Sequence, residues 1–180
     1  MRRREITLII LAVLLIPLAA SGLSQNGPQP QVLTSYDKSK DKTTVRLAPL
    51  KISDGKAQYQ SVHIAPSFSY PGQTLKRPEI IDFEVKTVTT KLKVDLYVVF
   101  LVDGETIFLS SNRWGVRRPV AGKRWVGERL VFRMPYETLV KIATAKTVEI
   151  KMDGVRFPLS EDGLEAIREF ATIATVPERH

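Results

Sequence analysis

Asp103-Gly104 separates two apolar segments and constrains the fold of this chain more than any other dipeptide in it. Asp-Gly supplies the two positive φ angles of a type I′ turn, so residues 94–102 and 105–109 are predicted to form a tight hairpin. In that register Phe100 faces Ile107 and Val98 faces Leu109, while Val99 faces Phe108 on the other side. Both faces are apolar, and strand pairs of that kind are generally covered on both faces. The hairpin is therefore expected at the centre of a sheet, with a second layer on each side.

Alternation extends the β reading over most of the chain. Val32–Tyr36 and Thr43–Leu47 flank a charged turn, with Thr43, Val45 and Leu47 on one face. Asp54-Gly55 is expected to mark the next turn, followed by a strand over 58–70. There Val62, Ile64 and Phe68 share one face, and Tyr59, Ser61 and His63 the other. Pro66 predicts an edge position or a bulge. Residues 79–87 set Ile81, Phe83 and Val85 against Asp82, Glu84 and Lys86. In 128–134, Leu130, Phe132 and Met134 point inward and Arg129 and Arg133 outward.

Helices are expected only in the last third. Pro135 suits a helix start, and Tyr136, Leu139, Val140 and Ala143 make an apolar stripe. A second Asp-Gly hairpin around Asp153-Gly154 should lie at the sheet margin. Ser160 caps a last helix whose buried stripe is Leu164, Ile167 and Ala171, with Phe170 alongside. The two helices are expected to cover one face of the central hairpin. The fold class is thus mainly β with α (α+β): antiparallel sheets, sandwich-like, with two C-terminal helices packed on one face.

The first 22 residues read as a secretory signal. Arg2-Arg3-Arg4 precedes an apolar run, Ile6 to Ala20, too short for the ~20 residues of a membrane-spanning helix. Candidate cleavage points follow Ala20, Ser21 or Gly22. The alternative is an uncleaved N-terminal anchor tethering the domain to the inner membrane. Residues 23–31 form a polar, Pro/Gly-bearing linker, 32–175 a single β-rich domain and 176–180 a tail. The expected location is outside the cytoplasmic membrane, periplasmic or secreted. Contact with export machinery would be transient.

Chemistry-bearing motifs are few. With no cysteine there is no disulfide, no lipid-bearing cysteine and no thiolate zinc site. Asp37-x-Ser39-x-Asp41 opens like a calcium loop, but Lys42 and Ala48 stand where that loop needs Gly and Glu, so a solvated turn is expected. The two histidines, His63 and His180, have no acid partner at triad or ligand spacing, and no hydrolase motif is present. Asp82 and Glu84 share a strand face, which reads as solvation. No catalytic residue, cofactor or metal is assigned, and the domain is read as non-enzymatic, a binding or envelope-associated protein.

The one binding candidate is the segment 110–127. It carries Arg113, Trp114, Arg117, Arg118, Lys123, Arg124 and Trp125 and no acid. Guanidinium forks take phosphate or carboxylate while indole stacks, so the segment suits an anionic polymer, a lipid headgroup or nucleic acid, though no specific nucleic-acid motif occurs. The competing reading packs both tryptophans beneath a long loop with solvated arginines. The net charge of +8 suits anionic partners, or serves solubility alone.

Three stretches carry a resemblance. They are Tyr36-Asp37 with Asp41 and Thr44-Val45, Pro135-Tyr136-Glu137 with Leu139, Ala143, Ala145 and Val148, and Phe157 with Leu159-Ser160, Leu164 and Phe170. In these the chain resembles a group of uncharacterised exported bacterial proteins. The matching positions are packing and turn residues. The resemblance therefore implies compartment and fold, and transfers no functional residue.

Overall fold

The computed structural model describes residues 31–90, 97–110, 116–119 (backbone alone) and 126–175. The signal segment and nearly all of the linker, residues 1–30, lie outside them. In chain order the elements are β1 (Val32–Asp37), β2 (Lys42–Leu47), β3 (Leu50–Lys56), β4 (Tyr59–Pro71), β5 (Ile80–Thr89), β6 (Tyr97–Val102) and β7 (Glu105–Ser110). They continue as β8 (Val116–Pro119), β9 (Val126–Pro135), α1 (Tyr136–Thr144), β10 (Val148–Met152), β11 (Val155–Pro158) and α2 (Glu161–Ala174). No helix among the described residues is long and apolar enough to cross a membrane.

The strands form two antiparallel sheets. One runs β1-β2-β4-β5-β9-β8 with β3 also on β4, and the other runs β11-β10-β6-β7. One face of the larger sheet carries Ile64, Phe68, Ile81, Phe83, Val85, Leu130, Phe132 and Met134, all buried. The smaller sheet and the helix pair lie side by side against that face. Phe83 meets Phe100 edge-on at 5.1 Å, joining the two sheets. Phe68 meets Phe170 of α2 at 5.7 Å, and Tyr59 meets Phe157 of β11 at 5.4 Å. The architecture is the expected antiparallel, sandwich-like α+β fold.

Both Asp-Gly turns form as read, with φ of 47° and 87° at Asp103 and Gly104 and 46° and 80° at Asp153 and Gly154. Asp103 also ties its turn to the start of β10, accepting hydrogen bonds from the Lys146 and Thr147 amides at 3.0 and 2.8 Å. These bonds outweigh a small desolvation effect and hold its carboxyl below the ordinary aspartate range. The β10–β11 hairpin occupies the margin, β11 being an end strand. Ser160 Oγ accepts from the Gly163 amide at 3.2 Å, an N-cap worth about 1 kcal/mol.

The central hairpin departs from expectation. β7 ends its sheet's strand order rather than sitting inside it. The outward face has no covering layer among the described residues: Phe108 is 60% exposed and Tyr97 38%. Their rings stack on each other at 5.2 Å, which shields apolar area that a second layer would otherwise have to cover. The helices also go elsewhere, packing chiefly on β2, β5 and β9 of the larger sheet beside the hairpin.

β4 shows three further departures. Residues 50–56, not assigned to any element from sequence, form β3, which runs through Asp54-Gly55 to a turn at Ala57-Gln58. A register shift between Tyr59 and Ser61 turns Tyr59 inward, against its expected place beside Ser61 and His63. Pro66 lies in an interior strand, yet β4 is paired on one side by β2 only up to Ser67 and by β3 only from Ile64. The proline falls in the gap, so on that side β4 is locally an edge, a position in which strands tolerate proline.

Candidate functional site: a cationic sheet face

The face of the larger sheet turned away from the core gathers cations by strand register. Lys51 of β3 is registered to His63 of β4, His63 to Lys86 of β5, and Lys86 to Arg129 of β9. Antiparallel partners share a face, so these four basic residues form one row across four strands, about 14 Å long at the usual strand spacing. Four residues along, Arg46, Ser67, Asp82 and Arg133 form a second row. Between the rows lie Ala65, Glu84 and Val131.

Like charges placed directly opposite each other destabilise a sheet. Glu84 relieves part of that cost. Its carboxylate lies in the floor between the rows, 7% exposed, and accepts from Arg129 and, at 2.9 Å, from Lys86. Burial pushes the Glu84 carboxyl up, but the hydrogen bonds from Lys86 and Arg129 together outweigh it, and the group is held below the ordinary glutamate range. Asp82 lies 3.6 Å from Arg133, and Asp54 2.8 Å from Lys51. Five lysines and arginines against three carboxylates leave the two rows net positive even with His63 neutral. The side chains of Lys86 and Arg129 are about half exposed, at 45% and 55%.

His63 occupies the middle of the first row and is half-buried, as expected of a strand histidine. Its partial burial lowers its basicity first, and the flanking Lys51 and Lys86 lower it further; Asp54 acts weakly the other way. An anion placed over it would reverse that balance.

Of the residues singled out from sequence, Arg113, Trp114, Lys123, Arg124 and Trp125 lie outside the described residues. Arg117 and Arg118 fall on β8, whose backbone pairs with β9, Arg117 opposite Glu128 and Arg118 opposite Gly127. The expected binding segment therefore contributes an edge strand to the sheet that bears the cationic rows. Lys86, Arg129 and Arg133 were legible as outward-facing, and His63 as a strand residue. Their alignment with Lys51 depends on pairing between strands far apart in sequence, for which the sequence carries no local signal.

Two other titratable groupings have structural partners. In the β1–β2 turn, Asp37 accepts from the Ser39 amide and hydroxyl, and Tyr36 donates to Asp41 at 2.8 Å. The Ser39 hydroxyl and Lys40 hold the Asp37 carboxyl down to about 2. The buried Tyr59 hydroxyl donates to Asp153, pinning the β10–β11 turn to β4. Burial and that carboxylate raise its pKa well above the usual phenol range. Comparison of the chain with protein-family models, with curated proteins and with solved structures finds no match.

Proposed function

We propose that this is an exported, non-enzymatic domain that binds an anionic component of the cell envelope through the cationic face of its larger sheet. The observation that carries the reading is the register Lys51–His63–Lys86–Arg129. It opposes Lys86 and Arg129 directly, like charges that Glu84 offsets only in part, and sets His63 between Lys51 and Lys86. The basic segment 110–127, entering the same sheet as β8, supports it, as does the charge of +6 left when Arg2, Arg3, Arg4 and Glu5 go with the signal (+8 less +2). The signal-like segment at 1–22 supplies the compartment.

The test is binding of purified domain to anionic phospholipid vesicles, a carboxylate polymer and a phosphate polymer over a salt series. Affinity should fall steeply with salt, because exposed charges are screened within about 10 Å at 0.1 M. The triple variant K51Q/K86Q/R129Q should bind at least about tenfold more weakly, as three exposed contacts of several tenths of a kcal/mol each imply. Unchanged binding by the triple variant would place the ligand elsewhere, and loss only on replacing the basic residues of 110–127 by Gln would move it to that segment. Export is tested by the mature N-terminus, which mass spectrometry should find at residue 21, 22 or 23.

A further inference from the structure

We propose that the row Lys51–His63–Lys86–Arg129 takes a linear polyanion laid across the strands, and that His63 is the contact that makes its binding tighten on acidification. This rests on the anion-binding reading of the same face. The row runs perpendicular to β3, β4, β5 and β9, and each strand contributes one basic group. Strand spacing repeats those groups every ~4.8 Å in a straight line. A lone anion engages one or two of them. A chain bearing anionic groups at regular intervals engages the row end to end and gains by linkage at each further contact. A lipid surface would instead set apolar or aromatic side chains among the cations of the row; the exposed apolar side chains of this face, Leu33 beside Arg46 and Ile80 beyond Asp82, lie away from Lys51–Arg129, and Ala65, Glu84 and Val131 stand between the rows.

His63 gives the row its pH response. Facing it are Lys51 and Asp54 from β3, and Lys86 with Glu84 beyond it from β5. Ordinary carboxylates and lysines titrate outside pH 5.5–7.5, so within that window the imidazole is the group that changes charge. In the free protein its burial and two flanking ammoniums keep it neutral to lower pH. A bound polyanion favours the imidazolium. Binding then takes up a proton, and affinity rises as pH falls. One added charge contact at about 4 Å in water corresponds to about a fivefold gain.

Oligogalacturonates of increasing length are suitable probes, since their carboxylates stay charged from pH 5.5 to 7.5. Calorimetric titration should show affinity rising at least about tenfold from monomer to tetramer and levelling once the oligomer spans the row. The tetramer should bind about fivefold more tightly at pH 5.5 than at 7.5. His63→Gln should abolish that difference, and its far-UV circular dichroism should match the parent. Polyphosphate of matched length, compared at pH 7.5, distinguishes a phosphate-bearing from a carboxylate-bearing source.

Polymer binding without length dependence would overturn the lengthwise geometry, and an unchanged pH response in His63→Gln would overturn the role of His63. Binding to anionic vesicles but to neither polymer would overturn this inference and leave the anion-binding face standing. No binding to polymers or vesicles at any pH would remove both.

Discussion

His63 sits between two lysines on an otherwise half-solvated face, and that placement gives folding a pH response opposite to the one proposed for binding. Its partial burial and the neighbouring Lys51 and Lys86 depress its folded-state pKa below the ordinary imidazole value of 6.5. The unfolded chain therefore binds the proton more readily, and stability rises with pH through that window. Without ligand, the unfolding midpoint should be constant above about pH 7 and decline as pH falls through the folded pKa. His63→Gln should flatten this part of the curve. Thermal unfolding at constant ionic strength from pH 5 to 8 measures it, and a midpoint that rises on acidification would contradict the environment described for His63. Glu84 gives a second residue-level expectation. Glu84→Gln removes the shared partner of Lys86 and Arg129. The variant should be less stable and bind polyanion more tightly, whereas a structural ion pair with no part in binding would show only the first effect.

At the level of elements, alternation, Asp-Gly turns and the Ser160 cap were enough to read most strands and both helices. What escaped was decided by pairing. β3 was unreadable because Asp54-Gly55 looks like a turn, while the chain turns two residues later at Ala57, with φ of 53°. A left-handed alanine costs about 1–2 kcal/mol, and glycine gives back part of that in unfolded-state entropy. Ala57→Gly should therefore stabilise the domain by about 0.5–1 kcal/mol in denaturant unfolding. A destabilised variant would show that the turn lies elsewhere. Tyr59 was misplaced because strict two-residue alternation assumes no bulge, and the register shifts between Tyr59 and Ser61. The hairpin at Asp103 was read correctly in its turn and wrongly in its surroundings. Apolar content on both faces signals a covering layer, but the stacked Tyr97 and Phe108 cover part of each other. The cationic face was half legible: the outward direction of Lys86, Arg129 and Arg133 follows from alternation, and their assembly into rows needs the register.

Taken whole, the molecule separates a cationic face from a packing face on one sheet. The outward side of β3, β4, β5 and β9 carries charge in rows. The inward side of the larger sheet packs on the smaller sheet and on α2 through a few large rings. The junction of the two sheets is the Phe83–Phe100 contact, edge-on at 5.1 Å with both rings fully buried. Edge-to-face ring pairs contribute about 0.5–1.5 kcal/mol beyond the area they bury. Phe83→Leu and Phe100→Leu should each destabilise, and the double variant should lose less than their sum by about that amount. Phe157 provides the control. It is registered to Ile150, which is registered to Phe100, so the two phenylalanines stand two strand spacings apart, about 10 Å. Phe100→Leu combined with Phe157→Leu should add to within about 0.5 kcal/mol. Chemical unfolding of the six proteins, parent included, decides the matter. Equal coupling in both pairs would mean a core that relaxes as one body, and zero coupling between Phe83 and Phe100 would mean that the sheets are not joined through these rings.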